Sequence, residues 1–384
     1  MKILNASSPD FLGNRLLGAN YYALQFANDG WQVAYISNPL SPFNTIFGND
    51  KKYILKLLKN HIKNGVYINN NLWYYVPFTF IPFHKNTIFD QSWFIDNYYR
   101  FTVPSIKSII ENKGFSSVDV LWLGDSCQEF WLNILKYKCC IYRLGDNTKE
   151  FCQASKTLLK AEENIIKHSD FILVSSKVLL QEYAHRFINQ EFIYCPNGVC
   201  LTNFIRNRYY KPKEFTNINN RLALYVGAID CWFDWELLIS VAKKCPEISF
   251  FIIGNDRLGN FKKTSENIYY LGPKNYTEIP NYIYYCDCGI IPFNTSKLVQ
   301  TISPMKMYEF FSLGKPVISR VWEELKLLDA PCFLADNEAE FVDILKDKNT
   351  FSISPKKLVD YALENTWDKR YIQILKLING VVPI

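Results

Sequence analysis

The chain has 384 residues, of which 48% are hydrophobic, 16% aromatic and 21% charged, and its formal net charge is +6. This balance is typical of a globular protein and excludes a disordered chain, while the mild charge without a Lys/Arg stripe argues against a nucleic-acid partner. The length suits two domains, and no apolar run is long enough for a membrane-spanning helix.

The first half of the chain repeats a strand, a loop and a helix. The predicted strands are Lys2–Ala6, Val33–Ser37, Val118–Leu123, Cys139–Tyr142, Phe171–Ser175 and Phe192–Cys195, and the predicted helices lie near Ala19–Asn28 and Ala154–His168. Such alternation favours a doubly wound parallel sheet with helices on both faces.

The polar segment Asn203–Arg221 interrupts the apolar periodicity and is the predicted linker. After it the alternation restarts. The predicted strands there are Leu222–Val226, Ser249–Ile253, Ile268–Leu271, Cys288–Pro292 and Pro316–Ser319, and the predicted helices are Trp235–Lys244 and Met305–Leu313. The fold class is therefore expected to be α/β, with two Rossmann-like doubly wound domains and a cleft between them.

The placement of the cysteines and histidines argues against disulfides and against a zinc site. The 11 cysteines are scattered without a Cys-x-x-Cys pair, and the start of the chain turns polar too early for a signal peptide. We therefore expect reduced thiols and a cytoplasmic protein. The four histidines have no zinc-like spacing, and no metal site is predicted.

Two common nucleotide-binding motifs are missing from the sequence. Gly13 and Gly18 bracket a loop after the first strand, but their spacing does not match G-x-G-x-x-G. A G-x-x-x-x-G-K-[ST] loop is also absent. These absences argue against a nicotinamide or flavin enzyme and against a nucleoside triphosphatase.

The stretch from 303 to 317 is the densest site-like segment. Ser303 suits a helix N-cap, Pro304 suits the first turn, and Lys306 places a cation where a helix start already favours anions. We therefore expect a diphosphate beside Ser303, the backbone of Met305 and Lys306, with Glu309 one turn on for a ribose. The alternative is a plain surface helix with a capped start.

Several motifs of the second half, in this order, resemble those of GT-B glycosyltransferases. They are Pro196-Asn197-Gly198-Val199, Asn203-Phe204, Tyr225–Asp230, Asn267–Gly272, Ser303–Val317 and Thr366-Trp367-Asp368. Within that fold the chain looks most like bacterial polysaccharide enzymes of the xanthan glucuronosyltransferase and teichuronic-acid type. The resemblance implies an acceptor-binding domain over 1–204, a nucleotide-sugar-binding domain over 205–365, and a C-terminal helix over 366–384 that crosses back to the first domain.

The chain departs from the pattern of retaining GT-B enzymes. The first glutamate of their E-x7-E motif has no counterpart here, although Glu309 matches the second, and Ala228-Ile229-Asp230-Cys231-Trp232 stands where they place Arg and Lys. Lys306 must then carry more of the phosphate charge. This favours an inverting mechanism, in which a carboxylate removes the proton of the acceptor hydroxyl.

Two aspartates at strand ends are candidates for that base. Asp146 follows a strand and Gly145, and it resembles the position of the catalytic aspartate in the xanthan-type enzyme. Asp125 competes with it, although each could simply cap the next helix. Arg143 and Arg15 are expected on the acceptor side.

Further donor contacts are expected at strand ends of the second domain. Gly227, Asp230 and Trp232 follow its first strand, and Leu271 with Gly272 ends its third. Asp230 and Trp232 could contact the sugar or the base, and the backbone near Leu271 and Gly272 is expected to read the base. Tyr276 is expected to pack.

The segment 51–63 combines five lysines with an apolar stripe of Ile54, Leu55, Leu58 and Ile62, and the aromatic run 72–78 follows. A basic helix beside aromatics suits contact with a membrane surface. The alternative is an ordinary helix packed on the first domain with solvated lysines.

The sequence thus predicts a metal-independent, cofactor-free glycosyltransferase, and the resemblance implies that its substrate is a UDP-sugar. The acceptor is expected to be a glycan, lipid-linked as in the enzymes that the chain resembles, at the inner face of the cell membrane. The alternatives are a non-catalytic nucleotide- or carbohydrate-binding protein of the same fold, and a sugar-nucleotide epimerase of GT-B fold.

Overall fold

The computed structural model describes residues 1–13, 16–43, 50–81, 89–151, 154–261 and 265–382. The chain forms two compact units. Unit 1 consists of Met1–Pro196 and Tyr371–Ile384, and unit 2 consists of Asn197–Arg370. Each unit is built on a largely parallel sheet, which confirms the predicted α/β class with two Rossmann-like domains.

The sheet of unit 1 has the order β3-β4-β2-β1-β5-β6-β7-β8. Its strands are β1 Lys2–Ala6, β2 Gln32–Ile36, β3 Val66–Tyr67, β4 Leu72–Tyr75, β5 Val120–Leu123, β6 Cys139–Leu144, β7 Phe171–Val174 and β8 Phe192–Tyr194. All pairs are parallel except β3 with β4. The strand order reverses between β1 and β5, so the loops after these two strands border a crevice at the carboxyl edge of the sheet.

Helices cover this sheet and bury its apolar residues. They are α1 Gly18–Asn28, α2 Lys51–Ile62, α3 Ser92–Asp96, α4 Ile106–Asn112, α5 Trp131–Ile134, α6 Lys156–His168, α7 Lys177–Arg186 and the later part of α16 Trp367–Val381. Tyr371 of α16 packs edge-on against Phe26, and its hydroxyl donates to the Asp29 carboxylate at 2.7 Å. These contacts fix α16 to α1 and to the residue that follows α1.

The sheet of unit 2 is parallel throughout, with the order β11-β10-β9-β12-β13-β14. Its strands are β9 Arg221–Val226, β10 Ile248–Ile253, β11 Ile268–Gly272, β12 Cys288–Ile291, β13 Val317–Arg320 and β14 Phe333–Ala335. The first strand of the unit lies beside the fourth, so the order reverses between β9 and β12. In such sheets ligands bind outside the carboxyl ends of the strands at this point.

The helices of unit 2 are shorter on average than those of unit 1. They are α8 Leu201–Phe204, α9 Trp235–Lys244, α10 Ile279–Tyr285, α11 Lys297–Gln300, α12 Met305–Phe311, α13 Glu323–Leu327, α14 Glu338–Lys346 and α15 Pro355–Glu364. Helix α12 lies directly on β12, since a Cβ at Gly289 would come within 2.8 Å of the Phe310 ring. Burial of Phe310 stabilises this contact by about 2 kcal/mol.

The predicted linker Asn203–Arg221 does not behave as an exposed connector. Phe215 is fully buried and packs edge-on against Phe251 and Tyr282. Tyr209 stacks on Tyr284 at a centroid distance of 4.1 Å. The polar composition concealed these aromatic anchors, which hold the segment on unit 2.

In the ranges that the structure describes, no helix combines the length and the apolar character needed to cross a membrane.

Candidate active site

Lys306 lies where the strand order of unit 2 reverses. Its ammonium nitrogen is 5.6 Å from the ring centroid of Tyr225, near the end of β9, and 5.2 Å from that of Phe293, just after β12. Two aromatic rings at this distance attract a cation and limit its motion. The structure therefore places a positive charge at the edge where a doubly wound sheet binds its ligand.

The lysine stem crosses the backbone at Gly227, the first residue after β9. A Cβ at Gly227 would lie 1.8 Å from Cε of Lys306, and the residue has a φ of +157°. A Cβ at Gly254, which follows β10, would lie 1.8 Å from the carbonyl oxygen of Gly227. Both positions therefore require glycine, because side chains there would separate the two loops or displace Lys306.

Helix α12 begins differently from the prediction. Pro304 is its N-cap residue and makes no side-chain capping bond. The Ser303 hydroxyl instead accepts from the backbone N–H of Asn197 at 3.3 Å, while the Asn197 amide donates to the carbonyl of Ser303 at 3.1 Å. The expected N-cap role of Ser303 is wrong, since Pro304 occupies that place and Ser303 joins α12 to the segment after β8. Met305 is half-buried at the helix start.

Glu309 is buried, one turn after Lys306 on the same helix. The hydroxyl of Tyr276 donates to Oε1 of Glu309 at 3.0 Å, and the Tyr276 ring also packs edge-on against Phe204. Tyr276 therefore packs as expected and in addition orients the carboxylate. Sequence reasoning missed this second role because the two residues are far apart along the chain.

The loop after β9 places Asp230 and Trp232 at the carboxyl edge. Asp230 accepts from the backbone N–H of Cys231 at 2.7 Å and forms an ion pair with Arg257 at 3.3 Å. Trp232 donates its indole N–H to the carbonyl of Ala228 at 3.1 Å and packs on the core. These bonds fix the loop, and Arg257 is a charged residue of this edge that the sequence analysis did not single out.

The end of β11 approaches the same edge. Gly272 has a φ of +67°, and its carbonyl accepts from the backbone N–H of Gly254 at 3.0 Å. Leu271 is half-buried and packs against the core. The loops after β9, β10 and β11 are thus joined in sequence by backbone contacts at Gly227, Gly254 and Gly272.

Two further motifs that carried the resemblance meet in unit 2. Val199 pairs with Thr366 as an isolated parallel bridge, with backbone bonds to Asn365 and Trp367. A Cβ at Gly198 would lie 2.8 Å from the backbone of Thr366 and Trp367. The motif residues near the beginning and the end of unit 2 are therefore in contact with each other. A side chain at Gly198 would clash with the backbone on the other side of this contact.

In unit 1, the two candidate bases have different surroundings. Asp125 follows β5 and accepts from the Cys127 backbone N–H at 2.9 Å and from the Asn38 amide at 2.7 Å. Asp125 therefore has the capping role, which is the alternative to its role as the catalytic base. Asp146 follows β6 and has an exposed side chain. Solvent reaches this carboxyl, but the protein around it still disfavours its charged form and so raises its pKa, while the charge of Arg143 opposes the shift.

A buried carboxylate anchors the loop that carries Asp146. Glu162 on α6 accepts from the hydroxyl of Tyr142 at 3.1 Å, from that of Tyr183 at 2.8 Å, and from that of Thr148. Burial raises the pKa of Glu162, while these hydroxyl bonds oppose the rise. Thr148 stands two residues after Asp146, so this network fixes the loop after β6.

Arg143 is buried in β6 and donates to the carbonyl of Cys195. Arg15 lies outside the described residues. Among the described residues no group of three or more His, Cys, Asp or Glu side chains is arranged to hold a metal ion.

Helix α2 forms in the predicted basic segment, but only two of the four residues of its apolar stripe are buried or partly buried. Ile54 is buried and Leu58 is partly buried, whereas Leu55 and Ile62 are 55% and 76% exposed. The lysines of α2 and Lys63 after it are exposed around these two side chains. The helix therefore packs on unit 1 with one face and presents a basic surface with two aliphatic residues on the other.

Comparison with known structures identifies the fold. Sucrose-phosphate synthase from Thermosynechococcus elongatus matches 99% of this chain and 98% of its own, with a TM-score of 0.74 and 14% identity. Anabaena Alr3699/HepE, solved in complex with UDP and glucose, matches 99% of this chain and 100% of its own, with a TM-score of 0.66 and 14% identity. WaaG, a glycosyltransferase involved in lipopolysaccharide biosynthesis, has a TM-score of 0.61 and 11% identity over the full length of both chains. The chain has the GT-B fold of glycosyltransferases.

Sequence comparison adds one curated relative. The chain is 28% identical over 171 residues to a protein of Bacillus subtilis (strain 168) provisionally named the teichuronic acid biosynthesis glycosyltransferase TuaH. This alignment covers 42% of the chain and 43% of the relative, so the chain matches less than half of that protein's length. Profiles of known protein families give no match. The resemblance to bacterial polysaccharide glycosyltransferases of the teichuronic-acid type is confirmed.

Proposed function

We propose that the protein is a glycosyltransferase that moves a sugar from a UDP-sugar to a glycan acceptor in cell-surface polysaccharide synthesis. The observation that carries this proposal is the Lys306 ammonium, held between Tyr225 and Phe293 at the reversal point of the unit 2 sheet. The similarity to TuaH supports transfer to a polysaccharide, and the UDP and glucose bound by HepE support the donor class.

We assign donor binding to unit 2. Lys306, with the Ser303 side chain and the backbone near Met305, binds the diphosphate, and Gly227 lets the phosphates approach the end of β9. Glu309, oriented by Tyr276, accepts from the ribose hydroxyls, and the backbone at Leu271 and Gly272 reads the base. Asp230 and Trp232 border the donor. A charge-assisted phosphate contact of this kind contributes about 1.5–3 kcal/mol.

We propose that transfer needs neither a metal ion nor another cofactor. The sequence has no Asp-x-Asp motif of the kind that holds a metal beside a nucleotide sugar. A lysine next to backbone N–H groups can instead neutralise the departing diphosphate. Turnover should therefore continue in EDTA.

We assign the acceptor and its base to unit 1, with Asp146 as the base. Asp146 removes the proton of the acceptor hydroxyl while that oxygen attacks the anomeric carbon, the bond from this carbon to the UDP oxygen breaks, and UDP leaves. The configuration at the anomeric carbon inverts. Exposure of Asp146 supports this role, whereas both oxygens of Asp125 already accept hydrogen bonds.

Retention is the second candidate mechanism. The structure of a trehalose-6-phosphate synthase that was used to study glycosyltransfer with retention has a TM-score of 0.66 and 10% identity with this chain. Proton NMR of the first product formed distinguishes the two, since an inverting enzyme gives the anomer opposite to that of the donor.

A membrane contact through α2 fits a lipid-linked acceptor. The lysines of the segment 51–63 would each gain about 1 kcal/mol near an anionic surface, and Leu55 and Ile62 could enter the headgroup boundary. The exposed aromatic side chains of Phe80 and Trp93 on the same unit could add to this contact. The protein would then act at the inner face of the cell membrane.

The proposed function is tested by incubating the protein with a panel of nucleotide sugars in EDTA, with and without a glycan acceptor. Acceptor-dependent release of UDP supports a glycosyltransferase. Binding without release would instead indicate a non-catalytic binding protein. Conversion of the donor sugar without an acceptor would indicate an epimerase.

A further inference from the structure

The loops after β9 and β10 continue to pair beyond the sheet of unit 2. Ile229 forms an isolated parallel bridge with Asp256. The Ile229 N–H donates to the carbonyl of Asn255, and the Arg257 N–H donates to the carbonyl of Ile229, both at 3.0 Å. Backbone bonds therefore place the residue after Asp256 beside the residue after Ile229.

This pairing brings the side chain of Arg257 onto Asp230. Nη1 of Arg257 is 3.3 Å from Oδ2 of Asp230, whose other oxygen accepts from the Cys231 backbone. The Asp230 side chain is only 19% exposed, whereas that of Arg257 is 59% exposed. The carboxylate is thus fixed by the backbone, and the guanidinium rests on it with much of its surface open to solvent.

Arg257 lies at the same edge of the unit 2 sheet as Lys306. The Lys306 stem packs against Gly227, and the carbonyl of Gly227 packs against Gly254. Arg257 lies three residues after Gly254. The first residues after β9 therefore have Lys306 packed at Gly227 and Arg257 paired at Asp230. Both cations belong to the edge where the sheet order favours a ligand.

The charge of a diphosphate calls for more than one cation. A nucleoside diphosphate carries between two and three negative charges at neutral pH, and one lysine compensates only part of them. A guanidinium offers five N–H donors in a planar fork that matches two phosphate oxygens. A surface ion pair with one aspartate uses few of these donors and contributes little to stability, about 0–1 kcal/mol.

We propose that Arg257 is a second diphosphate ligand of the donor site and that Asp230 is the carboxylate with which it pairs until the diphosphate replaces that ion pair. This inference rests on the proposed function, since it assumes a nucleoside diphosphate at this edge. It gives Asp230 a role through Arg257 rather than in direct contact with the sugar or the base.

The test is titration calorimetry with uridine, UMP and UDP in EDTA, using the wild type, Arg257→Ala, Arg257→Lys and Asp230→Asn. Arg257→Ala should weaken UDP binding about tenfold and leave uridine binding unchanged, because only the phosphates contact the guanidinium. Arg257→Lys should recover part of the loss. Asp230→Asn should bind UDP as tightly as the wild type or more tightly, because it removes a negative charge and releases the guanidinium.

Arg186→Ala is the matched control, since Arg186 forms a comparable exposed ion pair with Glu163 in unit 1. A parallel loss of UDP affinity in Arg257→Ala and Asp230→Asn would overturn the inference, because the pair would then only shape the loop. Unchanged UDP affinity in Arg257→Ala would overturn it as well. If the wild type itself fails to bind UDP, the proposed function fails along with it.

Discussion

A methyl group added at Gly227 should impair the proposed diphosphate site by displacing Lys306. The new Cβ would lie 1.8 Å from Cε of Lys306, whereas ordinary contact begins near 3.4 Å. The atom that must move is the far end of a flexible side chain, so the fold can survive the change. The φ of +157° adds strain of about 1–3 kcal/mol, which should lower the melting temperature.

The loss of affinity follows from the displacement. If the lysine ammonium moves from about 3 Å to about 4.5 Å from a phosphate oxygen, the Coulomb energy falls by about 2 kcal/mol at an effective dielectric constant of about 20. UDP binding should therefore weaken roughly 30-fold. Lys306→Ala should show a loss of similar size, because it removes the same contact.

Calorimetric titration of UDP into Gly227→Ala, Lys306→Ala and the double variant measures the coupling. The double variant should lose little more than either single variant, because both changes act on one interaction. Gly380→Ala is the control, since nothing lies within 4 Å of a Cβ there. Additive losses, or a Gly227→Ala protein that binds UDP like the wild type, would refute the reasoning.

Three further predictions concern unit 1. Asp146→Asn should keep UDP-sugar binding while turnover falls by roughly two to four orders of magnitude, and an active Asp146→Asn beside an inactive Asp125→Asn would assign the base to Asp125. Replacing the five lysines of the segment 51–63 with Gln should release the protein from anionic vesicles without affecting the reaction with a soluble acceptor. The control Lys356→Gln/Lys357→Gln should stay bound to the vesicles. If the five-lysine variant still sediments with vesicles at moderate salt, the membrane contact lies elsewhere. Burial and the neighbouring Asp96 raise the pKa of Glu129 from 4.5 to about 7, although a hydrogen bond from Asn164 opposes the rise. The protonated form is therefore favoured in the folded state, and stability should fall by up to about 3 kcal/mol as the pH rises from about 4.5 to about 7; Glu129→Gln should flatten this dependence in thermal melts, and an unchanged slope would contradict it.

Much of the fold could be predicted because its strands are short apolar runs that end in glycine or a turn. Strand β4 was missed, since the run from Leu72 was interpreted as aromatic residues beside a basic helix. All four of its residues are buried, so aromatic side chains fill the sheet there rather than face a membrane. The short edge strand β14 was also missed, because three residues give little periodicity.

The candidate site was partly predictable for a similar reason. Lys306 and Gly227 belong to local patterns, a strand ending in glycine and a lysine at a helix start, and the structure brings the two together. The pairing of Arg257 with Asp230 and that of Tyr276 with Glu309 join residues 27 and 33 positions apart. Such pairs depend on which strands are neighbours and on where each loop turns, and no local pattern of a single sequence records either.

The central claim is that the Lys306 edge of unit 2 binds a nucleoside diphosphate, and titration of UDP into the wild type and Lys306→Ala in EDTA tests it most directly. The account predicts saturable binding to the wild type and affinity at least about tenfold weaker in Lys306→Ala, with uridine binding unchanged. Equal UDP affinity in the two proteins would contradict it.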